Sequence, residues 1–293
     1  MKKTVIGSAS VLVLWTVLGA SLLSMTSSWS IIKADVDYDE MCFAEECIPY
    51  EGDNFYNKER IDRELAITML NEAQVAMYHR REKQFIPYII KELRANRLPD
   101  DLVYLAMAES ALRNRAVSTA WAAGIWQFMP GTARDYGLRV DDEIDERYHF
   151  EKATKAAIQY LKKLYSQFGD WSLAAAAYNR GENGLRGDLD RQYVQGYYDA
   201  WLNDETARYV FRIIAIKYIM ENRYDFYSVG FLGKQYDNPE YEEVQVRWPI
   251  TDLASWALEE YETTYRAIKE LNPWIVGSSL PAGDWTIKLF EKE

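Results

Sequence analysis

The chain has 293 residues, 48% of them hydrophobic and 27% charged, a balance that argues against disorder and allows one large domain plus a small one. Acidic residues outnumber basic ones by 45 to 34, the formal charge is -11, and no long Lys/Arg run or nucleic-acid motif occurs, so binding to nucleic acid is disfavoured. Aromatic residues make up 14% of the chain, with 22 Tyr and 10 Trp, which suits either a Tyr-rich core and surface or a cleft where flat rings pack against sugars.

The opening MKK precedes a stretch without charge until Lys33. Its apolar part, Val5 to Met25, is long enough to cross a bilayer, whereas a signal-peptide core runs to about 7 to 15 residues, and no A-x-A cleavage site follows. Lys2 and Lys3 ahead of it and the acidic DVDYDE behind it place the bulk of the chain outside the cytoplasm. Residues 1–25 therefore read as a transmembrane anchor or signal segment, the retained anchor being favoured. Residues 26–57, polar and acidic, read as an extracytoplasmic linker. Cys42 and Cys47, the two cysteines, can close a small disulfide loop in an oxidising compartment. His79 and His149 are too few and too far apart for an ordinary zinc site, so no metal and no cofactor is expected.

From Lys58 the pattern is helical. Ile61, Leu65, Thr68 and Met69 recur at helical spacing, as do Phe85, Tyr88, Ile89 and Leu93. Pro99 at a first helical position, with Asp100 and Asp101 set against the helix dipole, predicts the start of the helix LVYLAMAESAL. After a loop, a short helix is expected from Pro130 to Gly137, then an amphipathic one from Phe150 to Phe168 ended by Gly169. Asp170 is the expected N-cap of WSLAAAAYN, whose four alanines predict tight packing, and DETARYVFRIIAIKYIMEN is the last long helix of this block. DDEIDE at 141–146 has the alternation of a calcium loop but lacks the sixth-position Gly, and Lys152 replaces the twelfth-position Glu; it reads as a solvated acidic loop. His149 reads as a surface residue.

One carboxylate stands out. Glu109 lies seven residues from Leu102, about 20° away on a helical wheel, and is flanked by Leu105, Ala106 and Leu112. Burial disfavours the charged form, so such a Glu has a raised pKa and suits general acid catalysis; the alternative is a Glu paired with a buried Arg or a backbone amide. Gln127 between Trp126 and Phe128, and Tyr178 and Asn179 at the end of the alanine helix, are hydrogen-bonding groups beside aromatic or small residues, as a sugar site needs. Alone, Gln127 or Asn179 reads as a cap or turn residue.

Taken in order, ESAL, STAWAAGIWQFMPGTA from Ser118, AYNRG and DETARYV resemble the lysozyme-like catalytic domain of lytic transglycosylases, in particular the membrane-bound murein transglycosylase D type. The resemblance runs from about Ile61 to Asn222 and includes LPDDLVYLA and the DER around Arg147. It implies a mainly α, goose-type lysozyme-like domain over 58–225, with Glu109 as the single catalytic acid and base. It also implies that Ser118, Gln127 and Met129 line the subsites, that Tyr178 holds and tunes the Glu, and that Asn179 and Tyr209 fill matching motif positions. Most glycosidases need two carboxylates; here the substrate supplies the rest. The implied reaction cleaves the β-1,4 bond between N-acetylmuramic acid and N-acetylglucosamine in peptidoglycan, forming 1,6-anhydromuramoyl ends, a carbon-oxygen lyase chemistry.

After a linker at 226–242, the tail over 243–293 predicts the order β-α-α-β. KELNPWI and LPAGDWTIKLF resemble a divergent LysM module, a type that binds N-acetylglucosamine-containing glycans; P-I-T-D replaces the usual G-D-T, so glycan binding and a structural cap both stay open. The expected fold is thus a lysozyme-like helical domain, a small α+β module and an N-terminal membrane segment. The expected partners are peptidoglycan strands and, through that segment, the membrane. The expected place is the periplasmic side of the envelope, inner-membrane anchored or exported. The competing readings are a lysozyme-like hydrolase and a non-catalytic glycan-binding protein.

Overall fold

The computed structural model describes residues 36–291. It begins with a two-stranded hairpin, β1 (Cys42–Phe43) and β2 (Glu46–Cys47), antiparallel with Cys42 opposite Cys47 and the two sulfurs bonded. Ala44 and Glu45 carry the turn at φ 51° and 69°, the double left-handed conformation that a two-residue hairpin loop needs. The segment expected as a linker is therefore anchored here: Met41 and Phe43 are fully buried, and β1 packs on the long helix α8 described below. The apolar residues inside an acidic stretch are the reason.

The helices follow as α1 (Asn57–Leu70), α2 (Glu72–Ala95), α3 (Leu102–Ser110), α4 (Pro130–Asp135), α5 (Phe150–Phe168), α6 (Trp171–Arg180), α7 (Glu182–Gln192), α8 (Asp204–Glu221), α9 (Arg223–Phe226) and α10 (Val229–Leu232). In α8, Tyr209, Val210, Phe211, Ile213, Ile214 and Ile216 are all buried, so more than one face is apolar and the helix runs through the middle. It packs against α1, α3 and α6. Ala174 to Ala177 of α6 are completely buried, which lets α6 sit closely between α5 and α8. Gly169 ends α5 at φ +73°, and the Asp170 carboxylate caps α6 by accepting from Leu173 N–H at 2.6 Å.

The entry to α3 differs from expectation. Pro99, Asp100 and Asp101 form a turn before the helix, their carbonyls accepting from Leu102, Val103 and Tyr104. Asp100 pairs with Arg94, and Asp101 with Lys217 at 2.7 Å and with the Ala44 N–H at 2.8 Å. Specific cationic partners, rather than the helix dipole, hold these carboxylates.

Residues 226–242 are likewise tied down: Tyr227 donates to the Met69 carbonyl at 2.9 Å, Arg80 to the Leu232 carbonyl at 2.9 Å, and Tyr236 N–H to the Arg80 carbonyl at 2.7 Å. The tail then forms β3 (Tyr241–Val246), α11 (Leu253–Tyr261), α12 (Tyr265–Leu271) and β4 (Trp285–Phe290). The strands pair antiparallel from Tyr241 opposite Phe290 to Val246 opposite Trp285. Asp252, the last residue of P-I-T-D, caps α11 through Ala254 and Ser255 N–H. The module's core of Val246, Ile250, Leu253, Ile268, Trp274 and Ile287 also takes in Ile144 from the helical part.

The mainly α expectation with a two-stranded module fits this architecture; the membrane segment does not stand as part of it. Among the described residues no helix is long and apolar enough to cross a membrane, and the stretch expected to do so, residues 1–25, lies outside them. The fold class and the membrane partnership are corrected accordingly.

Candidate active site

Glu109 is the penultimate residue of α3, and the chain turns away directly after Ser110 through Ala111 and Leu112, both left-handed at φ 55° and 56°. The carboxylate keeps partial access to the surface while its surroundings are densely packed. Burial is the main cause that pushes its pKa up from 4.5 to about 7. The Tyr209 hydroxyl, from α8, donates a hydrogen bond to Glu109 Oε1 and pulls the other way. Glu205 adds to the rise, and the charge of Arg212 opposes it, although that guanidinium is directed at Glu64, 3.8 Å away.

The hydroxyl that holds Glu109 is thus Tyr209, not Tyr178. Tyr178 lies close enough for the carboxylate's charge to act on it, but donates to the Trp126 carbonyl at 2.6 Å. Both phenols are raised well above their ordinary pKa by burial and by Glu109, and stay protonated donors. Asn179 ties the end of α6 to the start of α8: it donates to Glu205 at 3.3 Å and accepts from the Thr206 hydroxyl at 2.9 Å. Replacing Tyr209 with Phe should raise the Glu109 pKa further, because a donor to the charged form is lost. The alkaline limb of the pH–rate profile is expected to move up while kcat falls about tenfold or more.

Residues 116–129 form the loop that Tyr178 reaches through the Trp126 carbonyl. Ala123 and Phe128 exchange backbone hydrogen bonds at 3.0 and 3.1 Å, closing a tight ladder. Gln127, at φ 48°, folds its amide back onto the carbonyls of Gly124 (2.8 Å) and Ala116 (3.2 Å), and the Ser118 hydroxyl accepts from Ala122 N–H at 3.0 Å. Both side chains therefore brace the loop itself. Met129 is 45% exposed and Trp121 73% exposed, which leaves two apolar side chains available to a ligand.

The brace of this loop was not legible as such. Arg147, 7% exposed, grips Asp145 with two nitrogens at 2.9 and 2.7 Å, and its third donates to the carbonyls of Trp121 (2.6 Å) and Phe128 (3.0 Å). Asp145 and Glu146 are buried, so the reading of 141–146 as a solvated loop fails at its second half. Alternating acids look solvated until their cations are known; the DER motif was the available signal. His149, read as a surface residue, stacks on Trp274 with ring centroids 5.7 Å apart. No group of metal-binding side chains occurs among the described residues.

Residues 87–200 match the Transglycosylase SLT domain, and residues 242–289 match the soluble lytic transglycosylase C-terminal LysM-like domain. A lytic transglycosylase catalytic domain followed by a LysM-like module is what the chain contains. The chain is related to the D type: it is 35% identical over 147 residues to membrane-bound lytic murein transglycosylase D of Escherichia coli, covering 48% of this chain and 32% of that protein. It is 34% identical over 129 residues to peptidoglycan transglycosylase gp16 of Escherichia phage T7, covering 43% of this chain and 10% of that one. An inactive variant of the lytic transglycosylase Slt from Pseudomonas aeruginosa aligns over 48% of this chain and 24% of its own at 25% identity and a TM-score of 0.40, too slight a likeness to argue from. The chain spans about a third of the length of its D-type relative. A cell-envelope location is consistent with these matches.

Proposed function

We propose that this chain cleaves the β-1,4 bond between N-acetylmuramic acid and N-acetylglucosamine in peptidoglycan without consuming water. Glu109 protonates the glycosidic oxygen and, as carboxylate, then takes the proton from the muramoyl C6 hydroxyl, which attacks C1 and closes a 1,6-anhydro ring. The observation that carries this reading is the Glu109 carboxyl, set in packed surroundings and held by the Tyr209 hydroxyl, where burial pushes its pKa up to about 7 and suits it to act as acid and then as base near neutrality. Tyr209 orients it, Tyr178 and Gln127 hold the loop over residues 116–129, and Met129 and Ser118 sit on that loop beside the path of the glycan. The work is done on the extracytoplasmic side of the envelope.

A hydrolytic reading has one observation in its favour. Glu205, exposed at the start of α8, acts on Glu109 through its charge and would be the second carboxylate that hydrolysis requires. Mass spectrometry of the muropeptides released by wild type and by Glu205→Gln separates the two. Anhydro ends, lighter by one water than hydrolysed ends, released by both proteins support transglycosylation. Hydrolysed ends that vanish in Glu205→Gln would overturn it.

A further inference from the structure

The LysM-like module is not tethered beside the catalytic part; it is joined to the segment that holds the catalytic loop. Ile275 pairs with Ile144 in an antiparallel bridge. The Trp274 carbonyl accepts from Asp145 N–H at 2.8 Å, and the N–H groups of Val276 and Gly277 both donate to the Glu143 carbonyl, at 2.9 and 3.0 Å. Ser279 reaches the Glu143 carboxylate at 3.1 Å, and Lys288 pairs with Glu151 at 2.6 Å. Ile144 is fully buried in the module's own core.

What lies beyond this seam is the brace of the active-site loop. Asp145, fixed at its N–H by Trp274, fixes Arg147 with its carboxylate, and Arg147 fixes the carbonyls of Trp121 and Phe128. Gly124 packs so closely against the helical turn at Glu146–Tyr148 that a Cβ there would lie 2.0 Å from the Arg147 carbonyl oxygen. Every link is a backbone hydrogen bond, a buried ion pair or a hydrogen bond from the buried Arg147 guanidinium to a loop carbonyl, so a shift at the seam has little soft structure in which to dissipate before it reaches Gln127 and Met129.

Resting on the function proposed above, we infer that the C-terminal module acts as a positioning clamp for the catalytic loop, with Trp274, Ile275 and Gly277 as the residues that transmit it through Asp145 and Arg147. Its contribution is to turnover itself, even on a glycan too short to touch the module. A misplacement of about 1 Å at a catalytic site costs on the order of 10²-fold in rate, so undocking is felt in kcat rather than in KM.

Gly277 offers the handle, because a Cβ there would meet the Glu143 backbone at 3.1 Å and a larger side chain must push the two segments apart. The full chain, Gly277→Ala, Gly277→Val, Arg147→Lys and the Gly277→Val/Arg147→Lys pair are compared on a soluble tetrasaccharide of alternating N-acetylglucosamine and N-acetylmuramic acid. Amide exchange is followed at Asp145, Ala123 and Phe128. The clamp predicts that Gly277→Val loosens all three amides and lowers kcat by about 10²-fold with KM little changed, and that Gly277→Ala falls between it and wild type. It also predicts that the pair is no slower than Arg147→Lys alone, because both changes cut one chain of contacts. Loosening at Asp145 with Ala123, Phe128 and kcat as in wild type would overturn it, and so would losses that multiply in the pair. If wild type releases no product, the functional reading fails, and the exchange at Ala123 and Phe128 still decides the clamp.

Discussion

Glu109→Gln is expected to fold, to bind peptidoglycan and to lose cleavage by at least the 10² to 10⁴ typical of general acid–base catalysis. The amide keeps the shape of the side chain and can still accept from Tyr209, so the loss isolates the proton. A second signature follows from the pKa. Because burial raises the folded carboxyl from 4.5 to about 7, the folded state binds the proton more tightly than the unfolded chain. Below about pH 4.5 both states are protonated and nothing is lost; as pH rises toward 7 the wild type gives up stability, by at most on the order of 3 kcal/mol. The Gln variant has no such titration. Its denaturation midpoint is expected to exceed that of wild type above pH 7, with the difference closing on acidification. Wild-type kcat/KM should fall as pH rises through about 7, since the acid must enter the reaction protonated. Equal stability of the two proteins at all pH values would show that Glu109 titrates like a surface carboxylate.

The second large effect is expected at Gly124. Its φ of +82° lies in the left-handed region, and an added Cβ would sit 2.0 Å from the Arg147 carbonyl oxygen and 2.9 Å from the carbonyl carbon. Both are backbone atoms of a buried segment, so no rotamer relieves the contact. Gly124→Ala must therefore displace the loop from Arg147, at a cost of about 3 kcal/mol or more from strain and lost charge-assisted hydrogen bonds. Urea denaturation measures the stability loss, and the fall in kcat should be comparable with that of Arg147→Lys. Gly137 makes a control: its φ is +80°, yet no atom lies within 4 Å of an added Cβ, so Gly137→Ala should show the strain without the displacement.

What could be read from sequence was what neighbours in the chain decide. Phe150 to Phe168 with its terminating Gly169, the Asp170 cap and the packed alanines of α6 follow from periodicity and capping chemistry within a few residues. So does the unusual environment of Glu109, announced by the apolar residues on its own helix. Choices made across helices were hidden. Tyr178 and Tyr209 both stand in motif positions, and only the crossing of α6 and α8 decides that one hydroxyl reaches Glu109 and the other the Trp126 carbonyl. Asp145 and Glu146 sit in a run of acids that looks wet from its composition; their burial depends on Arg147, Lys152 and Trp274, the last far along the chain. The hairpin at Cys42 was obscured for the same reason, since the surface that covers Phe43 belongs to a helix that begins at Asp204.

That hairpin carries one more obligation. The carboxylate of Glu46 receives the N–H groups of Trp171 and Ser172, at 2.6 and 2.8 Å, and the Ser172 hydroxyl at 3.0 Å, across a separation of 125 residues or more. The first turn of α6, the helix that carries Tyr178, is thereby completed by an amino-terminal arm. On a growing polypeptide this arm emerges long before the helix it serves and must wait, unengaged, until the later segment arrives. A shortened version that begins at residue 58 would leave those three donors without their acceptor, so trimming the acidic segment ahead of the helices would remove a piece of the folded domain.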